Sequence, residues 1–325
     1  MSLKKNILSN YSGNITILIV NFLLVPIYLK FLTVEEYGLI TFFTTLVSCF
    51  VVLDMGLGLT INREVASSIA LKDSSKKTSD IIRSFESIYW FLAFLIGLFL
   101  NLFSGWISIN WLNVENITQD QLKFVIRLIG IALIFRWPIS FYDNVMCGFQ
   151  KMFSLNLVKI VVGVLNISVL YILFGYFNLG ITGYFIFLIS LYLFHVLMLI
   201  YNIWGTNNLE FLKAKFSFKI IKTLKNYILG IGFYSIIGTL YVIIDKLLIS
   251  KIFLTSELAY YSLISMATLS IVQLVYPISS ALFPKFVENY KKGKIDECFV
   301  VFRKGYQLII ILVFSFSSIL FFFGK

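Results

Sequence analysis

Uninterrupted apolar runs, each closed by a short polar or charged stretch, recur along the whole chain. Their lengths of about 20 residues match the ~30 Å hydrocarbon core of a bilayer, whereas strands of a membrane barrel would alternate over ~10 residues. The pattern therefore predicts helical spans, which satisfy their own backbone polar groups in lipid. Nine are expected, over 7–29, 37–61, 86–107, 122–147, 153–175, 180–203, 227–250, 258–283 and 305–323. Of the 27 Lys and Arg residues, 19 lie in the N-terminus and the connections 62–85, 148–152, 204–226 and 284–304. The alternate connections, 30–36, 108–121, 176–179 and 251–257, hold only two, Lys30 and Lys251. The positive-inside rule puts the N-terminus in the cytoplasm, and nine spans then leave residue 325 on the outer face.

A short repeat suggests how the spans are grouped. The pentapeptide "FLTVE" at 31–35 returns as "FLTSE" at 253–257, each time between an apolar run and a tyrosine-containing start of the next. Laying 11–46 on 234–269 also pairs Tyr11 with Tyr234, Ser12 with Ser235 and Thr16 with Thr239, with a one-residue shift between the two matches. Span 1 corresponds to span 7 and span 2 to span 8. An even number of spans separates the copies, so the repeats have parallel topology about an axis along the membrane normal. The expected fold is an all-α integral membrane protein, a two-lobe bundle of six-helix repeats with nine of about twelve or more helices present. Residues 1–210 form the N-terminal lobe and 211–325 an incomplete C-terminal lobe. A full second lobe needs roughly 100 to 120 further residues, so the chain reads as C-terminally truncated. Spans 7 to 9 would lack packing partners, which predicts poor stability for the chain as it stands.

Composition agrees with this picture. Hydrophobic residues make up 59% of the chain and charged ones 13%, and the mean hydropathy of +0.91 excludes a soluble domain. The net charge of +11 reflects loops facing anionic lipid, with no soluble module to bind nucleic acid. The apolar stretch after "MSLKKNILSN" has no small-residue cleavage site and reads as a retained span. Cys49, Cys147 and Cys298 are scattered singly, without a disulfide or metal pattern. Trp106, Trp111 and Trp204 fall at span ends, as in an interfacial aromatic belt.

Ionisable side chains inside spans cost roughly 2.5 to 3.5 kcal/mol each on insertion scales, so they are the candidates for function. They are Asp54, Arg127, Arg136, Asp143, Lys159, His195, Asp245 and Lys246. At ~1.5 Å per residue, Arg136 lies about 16 Å and Lys159 about 9 Å from the cytoplasmic ends of their spans. Pro138, two residues after Arg136, lacks a backbone donor and should bend span 4 beside the guanidinium. Arg127 and Lys246 lie nearer the outer interface and could simply snorkel. Asp54 and Asp143 lie toward the cytoplasmic ends of spans 2 and 4, within reach of Arg63, Arg136 or Lys159. They read either as ion pairs holding helices together or as gates beside a cationic pocket for an anionic ligand. His195 is either a satisfied buried histidine or a proton relay. No Walker loop, "DxD" pair, nucleophile elbow or long outer loop is present, so no catalytic residues and no enzyme activity are expected.

Three stretches resemble a known family. "LDMGLGLTINREVA" (53–66), with Asp54, Gly56 and Arg63, is similar to the end of the second helix in polysaccharide-transporter members of the multidrug/oligosaccharidyl-lipid/polysaccharide (MOP) exporter superfamily, the Wzx-type flippases. "RWPISFYDNVMCGFQKM" (136–152) resembles their fourth helix and its "GxQ(K/R)" turn, here Gly148, Gln150 and Lys151. "DKLLISKIFLTSELAYYSLISMA" (245–267) resembles their seventh-to-eighth helix hairpin, and Pro277 and Pro284 their eighth helix.

The resemblance implies a V-shaped pair of six-helix lobes in the bacterial inner membrane. Such a protein turns over undecaprenyl-pyrophosphate-linked oligosaccharide for O-antigen, capsule or exopolysaccharide synthesis, by alternating access. It implies H+ or Na+ gradient coupling and no cofactor. Membrane lipids and the pathway's polymerase and chain-length proteins are the expected partners. Arg136, Lys159 and Lys246 form the expected cationic cavity, with Asp54, Arg63, Asp143 and His195 for gating or coupling. The alternatives are a cation-coupled multidrug exporter of the same superfamily and a membrane glycosyltransferase or polymerase of the same pathway.

Overall fold

The computed structural model describes residues 20, 22–50, 54, 56–71, 74–177, 179–205, 209–210, 212–269, 271, 275 and 294–323. Over these residues helix is the regular structure, apart from an isolated parallel bridge between Asn113 and Leu254, and turns and irregular segments join the helices. The helices are α1 (Phe22–Phe31), α2 (Val34–Phe50), α3 (Leu57–Ala70), α4 (Ser75–Leu102), α5 (Ser104–Asn110) and α6 (Gln119–Gly148). Then follow α7 (Met152–Phe177), α8 (Gly180–Ile200) with a π-helical turn at Tyr201–Gly205, α9 (Phe218–Ile252), α10 (255–269) and α11 (Ile295–Phe323). Five of them, α4, α6, α7, α8 with its π turn, and α11, are long and apolar enough to cross a membrane. At 35 residues, α9 is longer than any of these. Tyr11, Ser12, Thr16, Pro277, Pro284 and the side chains of Tyr234 and Ser235 lie outside the described residues, as do most of the first expected span and the end of the eighth.

Helix starts follow the local sequence. Ser74 accepts a hydrogen bond from the Lys77 N–H at 3.3 Å and Thr118 one from the Gln121 N–H at 3.4 Å, capping α4 and α6. The first "FLTVE" enters a capping box. The Thr33 N–H donates to Glu36 Oε2 at 2.9 Å, and the Glu36 N–H donates to Thr33 Oγ1 at 3.2 Å. Glu36 Oε1 also accepts from the Ile181 N–H at 3.2 Å, so one carboxylate serves the starts of α2 and α8. The second copy has Leu258 where a capping glutamate would stand, and Thr255 bonds to a different element instead.

The structure corrects three expected boundaries. Span 2, expected as continuous over 37–61, is divided: α2 ends at Phe50 and α3 begins at Leu57. Gly56 between them has φ 75°, a left-handed conformation that a continuous helix of L-residues does not accept. The indole of Trp137 donates to the Phe50 carbonyl at 3.2 Å. The connection expected over 62–85 is largely helix, because α3 runs to Ala70 and α4 starts at Ser75. Likewise α9 starts at Phe218, before the expected 227, so Lys219, Lys222 and Lys225 lie on helix rather than loop.

The chain divides into two compact units, Met1–Tyr260 and Tyr261–Lys325. In the first, α6 is the central helix, packed on α3, α4, α5 and α8. It runs unbroken through Pro138, which is buried. Its approach to α4 is closest at Gly130 and Gly97. A Cβ on Gly97 would stand 2.4 Å from Ile134 Cγ1, and one on Gly130 would stand 2.7 Å from Asn101 Nδ2. Small residues that let backbones approach are the usual means of packing helices in lipid, where no hydrophobic force draws them together. α9 packs on α2, α3 and α4. In the second unit, Lys294 pairs with Glu297 at 2.7 Å at the start of α11, and Phe302 stacks on Tyr306 with centroids 6.0 Å apart.

Candidate functional site

Three neighbouring helices, α6, α7 and α8, carry a cluster of polar groups. Asp143 on α6 and Lys159 on α7 form an ion pair, Nζ to Oδ2 2.8 Å, about a quarter exposed on each side. Arg136 lies two turns before Asp143 on α6, which puts both on one face of that helix. Its guanidinium lies over the Tyr192 ring of α8, 5.8 Å from the centroid. His195, one turn beyond Tyr192, is 8% exposed and lies within range of the charges of both Arg136 and Lys159. Two cations therefore face one carboxylate, and Arg136 makes no ion pair among the described residues.

The same region holds polar atoms that lack a partner. Asp143 Oδ1, Asn166 Oδ1 and His195 Nε2 are buried without a hydrogen bond. Asn166 is seven residues after Lys159, hence on the same face of α7 about two turns further along. Unsatisfied acceptors of this kind cost about 1 to 3 kcal/mol each unless a donor arrives. The cluster can thus attract an anion through its cations and take hydroxyl or water donors through its free acceptors.

The remaining candidates are elsewhere. Asp54 meets no cation among the described residues: one of its oxygens accepts from the Tyr89 hydroxyl and the other from the Gly58 N–H at 3.2 Å, at the start of α3. Of the two readings open for Asp54, an ion pair or a gate, the described residues supply no partner for the ion pair. Arg63 pairs with its neighbour Glu64 at 2.6 Å and lies flat on Tyr227 of α9, 3.7 Å from the ring centroid. Lys246 lies on α9 with its own N–H donating to Asp245 Oδ1, and the structure does not bring it to Arg136 and Lys159. Arg127 is exposed and donates through Nε to Ser104 Oγ at 3.3 Å.

Sequence reasoning missed Glu86. This carboxylate is 5% exposed on α4 and fully engaged. Oε1 accepts from the Tyr142 hydroxyl at 2.8 Å and the Trp204 indole at 3.3 Å, and Oε2 pairs with Arg83 at 2.7 Å. Tyr142 in turn accepts from the Trp90 indole at 2.9 Å, while Arg83 lies over the Trp204 ring at 4.8 Å. The network ties α4 to α6 and to the π turn. The available signal was the Arg83–Glu86 spacing of three on a helix, hidden by reading 62–85 as loop.

At one end of α9 a second set of contacts reaches the segment between α5 and α6. The Trp111 indole donates to Ser250 Oγ at 3.1 Å, and Lys251 lies over the Trp111 ring at 5.3 Å. Asn113 Nδ2 donates to the Lys251 carbonyl at 3.2 Å, and the Asn113 carbonyl receives both the N–H and the Oγ of Thr255. Gly38 of α2 packs against this point, where a Cβ would stand 2.1 Å from the Thr255 oxygen. Among the described residues no group of three or more His, Cys, Asp or Glu is placed to hold a metal ion, and none of the three cysteines is in a disulfide.

A family model described as "Polysaccharide biosynthesis protein" matches residues 3–290. The chain belongs to that family. Solved structures share its fold. A structure titled as the inward-facing conformation of a multidrug resistance MATE family transporter of the MOP superfamily matches with TM-score 0.75 at 13% identity, over 98% of this chain and 74% of that one. An outward-facing structure of the same description matches with TM-score 0.61 at 13% identity, over 98% and 72%. A MOP superfamily transporter from Pyrococcus furiosus, described as having a binding pocket of reverse polarity that suggests a different function, matches with TM-score 0.60 at 11% identity, over 98% and 72%. No curated protein matches the sequence. This polysaccharide biosynthesis protein thus shares the multi-helix fold of those structures.

Proposed function

We propose that the chain is a flippase moving an undecaprenyl-pyrophosphate-linked oligosaccharide repeat unit across the bacterial inner membrane, N-terminus cytoplasmic, for O-antigen, capsule or exopolysaccharide synthesis. The observation that carries this reading is the excess of cationic charge at Arg136 and Lys159 over Asp143, in a member of a polysaccharide biosynthesis family. A pyrophosphate is strongly anionic, and a cation held deep among helices lowers the barrier to its entry. The free oxygens of Asp143 and Asn166 and the unpartnered Nε2 of His195 suit the hydroxyls of a sugar chain, which donate and accept.

Movement is by alternating access between two six-helix lobes of parallel topology, 1–210 and 211 onward, driven by an H+ or Na+ gradient. In this reading, the contacts of Trp111 and Asn113 with α9 and Thr255 are a closed outer side. The pathway's polymerase and chain-length proteins are its partners. The test measures the orientation of lipid-linked sugar in cells lacking their own flippase. Arg136→Ala with Lys159→Ala is expected to lower turnover about tenfold or more, the effect of losing roughly 1.4 kcal/mol or more of differential binding. Undiminished turnover would remove the cationic pocket from the mechanism.

A second reading, a cation-coupled multidrug exporter, is favoured by the fold shared with two structures described as multidrug resistance transporters, and by the buried carboxylate of Asp143. Efflux of a cationic dye from cells expressing the chain, lost in Asp143→Asn and unaffected by Arg136→Ala, would select it.

A further inference from the structure

The stretch between the π turn and the apolar part of α9 carries charge that neither transport reading uses. Residues 212–225 contain Lys213, Lys215, Lys219, Lys222 and Lys225 and no acidic residue. Lys213 pairs with Glu210 at 3.6 Å, whereas Lys215, Lys219, Lys222 and Lys225 are exposed and make no ion pair among the described residues. Spaced by three, the last three form one ridge along the first turns of α9.

Large apolar side chains alternate with these lysines. Leu212 is 93% exposed, Phe218 68% and Phe216 51%. Their exposure does not come from a loose backbone. The Glu210 N–H donates to Ser79 Oγ at 3.0 Å, the Lys215 N–H to Asp80 Oδ1 at 2.7 Å and the Ser217 N–H to Ser84 Oγ at 2.9 Å. All three acceptors lie within about a turn and a half of α4, so this strap is fastened to that helix at three points while its lysines, leucine and phenylalanines stay exposed.

We propose that this strap is a binding surface for anionic phospholipid headgroups, with Lys215, Lys219, Lys222 and Lys225 meeting phosphate and Leu212, Phe216 and Phe218 entering the acyl boundary. Interleaved cations and bulky apolar groups match the layered chemistry of a bilayer interface, charge at the headgroups and hydrocarbon a few ångströms beneath. Position supports the match. The ridge leads without interruption into the apolar part of α9, so at ~1.5 Å per residue it lies within headgroup depth of that segment. Because the strap is fixed to α4 and continuous with α9, bound lipid would hold those two helices in one arrangement at this end of the bundle. The proposal does not depend on what is transported.

The test uses the full chain in nanodiscs, with Cys49, Cys147 and Cys298 replaced and a fluorophore on Leu212→Cys. Quenching by spin-labelled phosphatidylglycerol is compared with spin-labelled phosphatidylcholine at equal mole fraction. Both faces of a nanodisc are accessible, so the result is independent of orientation. Phosphatidylglycerol is expected to quench about twofold or more strongly. That excess should vanish in about 0.5 M salt and in a variant carrying K215Q, K219Q, K222Q and K225Q. A label at Ile109→Cys, away from the strap, should show no preference. Equal quenching by the two lipids, an excess that survives both salt and substitution, or the same excess at Ile109 would each overturn the proposal. So would a fluorescence change given by added oligonucleotide and by neither lipid.

Discussion

Thr255 holds the Asn113 carbonyl oxygen twice, through its N–H at 3.0 Å and its Oγ at 2.9 Å. The bond crosses from the turn after α9 to the segment between α5 and α6, and Gly38 of α2 closes on the same threonine. If this end must open for cargo to leave, the pair has to part in every cycle. The Asn113–Leu254 bridge and the two bonds from Thr255 hold these backbones side by side, which makes the Asn113–Thr255 pair one to test with a disulfide. Asn113→Cys with Thr255→Cys, in a background without other cysteines, is therefore expected to cross-link under mild oxidation and stop turnover, with activity returning on reduction. Full turnover by the cross-linked protein would show that this contact stays shut throughout.

Asp143 and Lys159 should be coupled in stability. Removing either partner leaves the other's charge in a largely buried site; for a pair about a quarter exposed this costs on the order of 1 to 2 kcal/mol, less than for a fully buried pair. Asp143→Asn and Lys159→Gln are each expected to lower the thermal midpoint in detergent, and the double variant to lose less than the sum. Simple additivity would mean that the two groups are solvated independently. Arg136→Gln, which breaks no ion pair, should leave the midpoint nearly unchanged while lowering transport.

How much of this was legible beforehand depended on the kind of signal. The apolar runs at α4, α6, α7, α8 and α11 set the helices, because length and hydropathy are properties of one segment alone. The Asp143–Lys159 pair was among the options read from depth. The partner of Asp54 was not. Whether it meets Arg63 or Tyr89 depends on the break at Gly56, and a positive φ leaves little trace in a glycine-containing run, "DMGLGL". The extension of α9 back to Phe218 was hidden for a related reason: Lys219, Lys222 and Lys225 read as loop by composition, although their spacing is helical. The repeat "FLTxE" did mark two helix starts, yet its copies make different bonds, since only the first is followed by a glutamate in the capping position.

Glu86 should behave as a structural group rather than as a coupling site. Its two oxygens satisfy Tyr142, Trp204 and Arg83, and Glu86→Ala would leave at least two buried donors without acceptors, at about 1 to 3 kcal/mol each. Glu86→Gln keeps an acceptor for Tyr142 and Trp204 and loses only the charge facing Arg83. The alanine variant is expected to melt far below the parent and the glutamine variant to lie between them. In the glutamine variant, the proton or sodium dependence of transport should be unchanged; a shift in that dependence would assign Glu86 to coupling.

The turn after α6 gives a prediction of opposite sign. Gln150 has φ 56°, the left-handed conformation that costs an L-residue roughly 1 kcal/mol and glycine almost nothing. It is held there because the Gln150 N–H donates to the Cys147 carbonyl and the Lys151 N–H to the Met146 carbonyl, closing the end of the helix. Two residues earlier, Gly148 lies so close to α3 that a Cβ would stand 2.8 Å from the Asn62 oxygen. The "GxQ" pattern thus combines a close helix approach with a left-handed turn, and its two positions should respond differently. Gln150→Gly is expected to raise the thermal midpoint by a few degrees, and Gly148→Val to lower it by more, since the valine meets backbone that cannot move aside. If Gln150→Gly instead abolishes transport at undiminished stability, the side chain acts on the transported molecule and the turn is only its support.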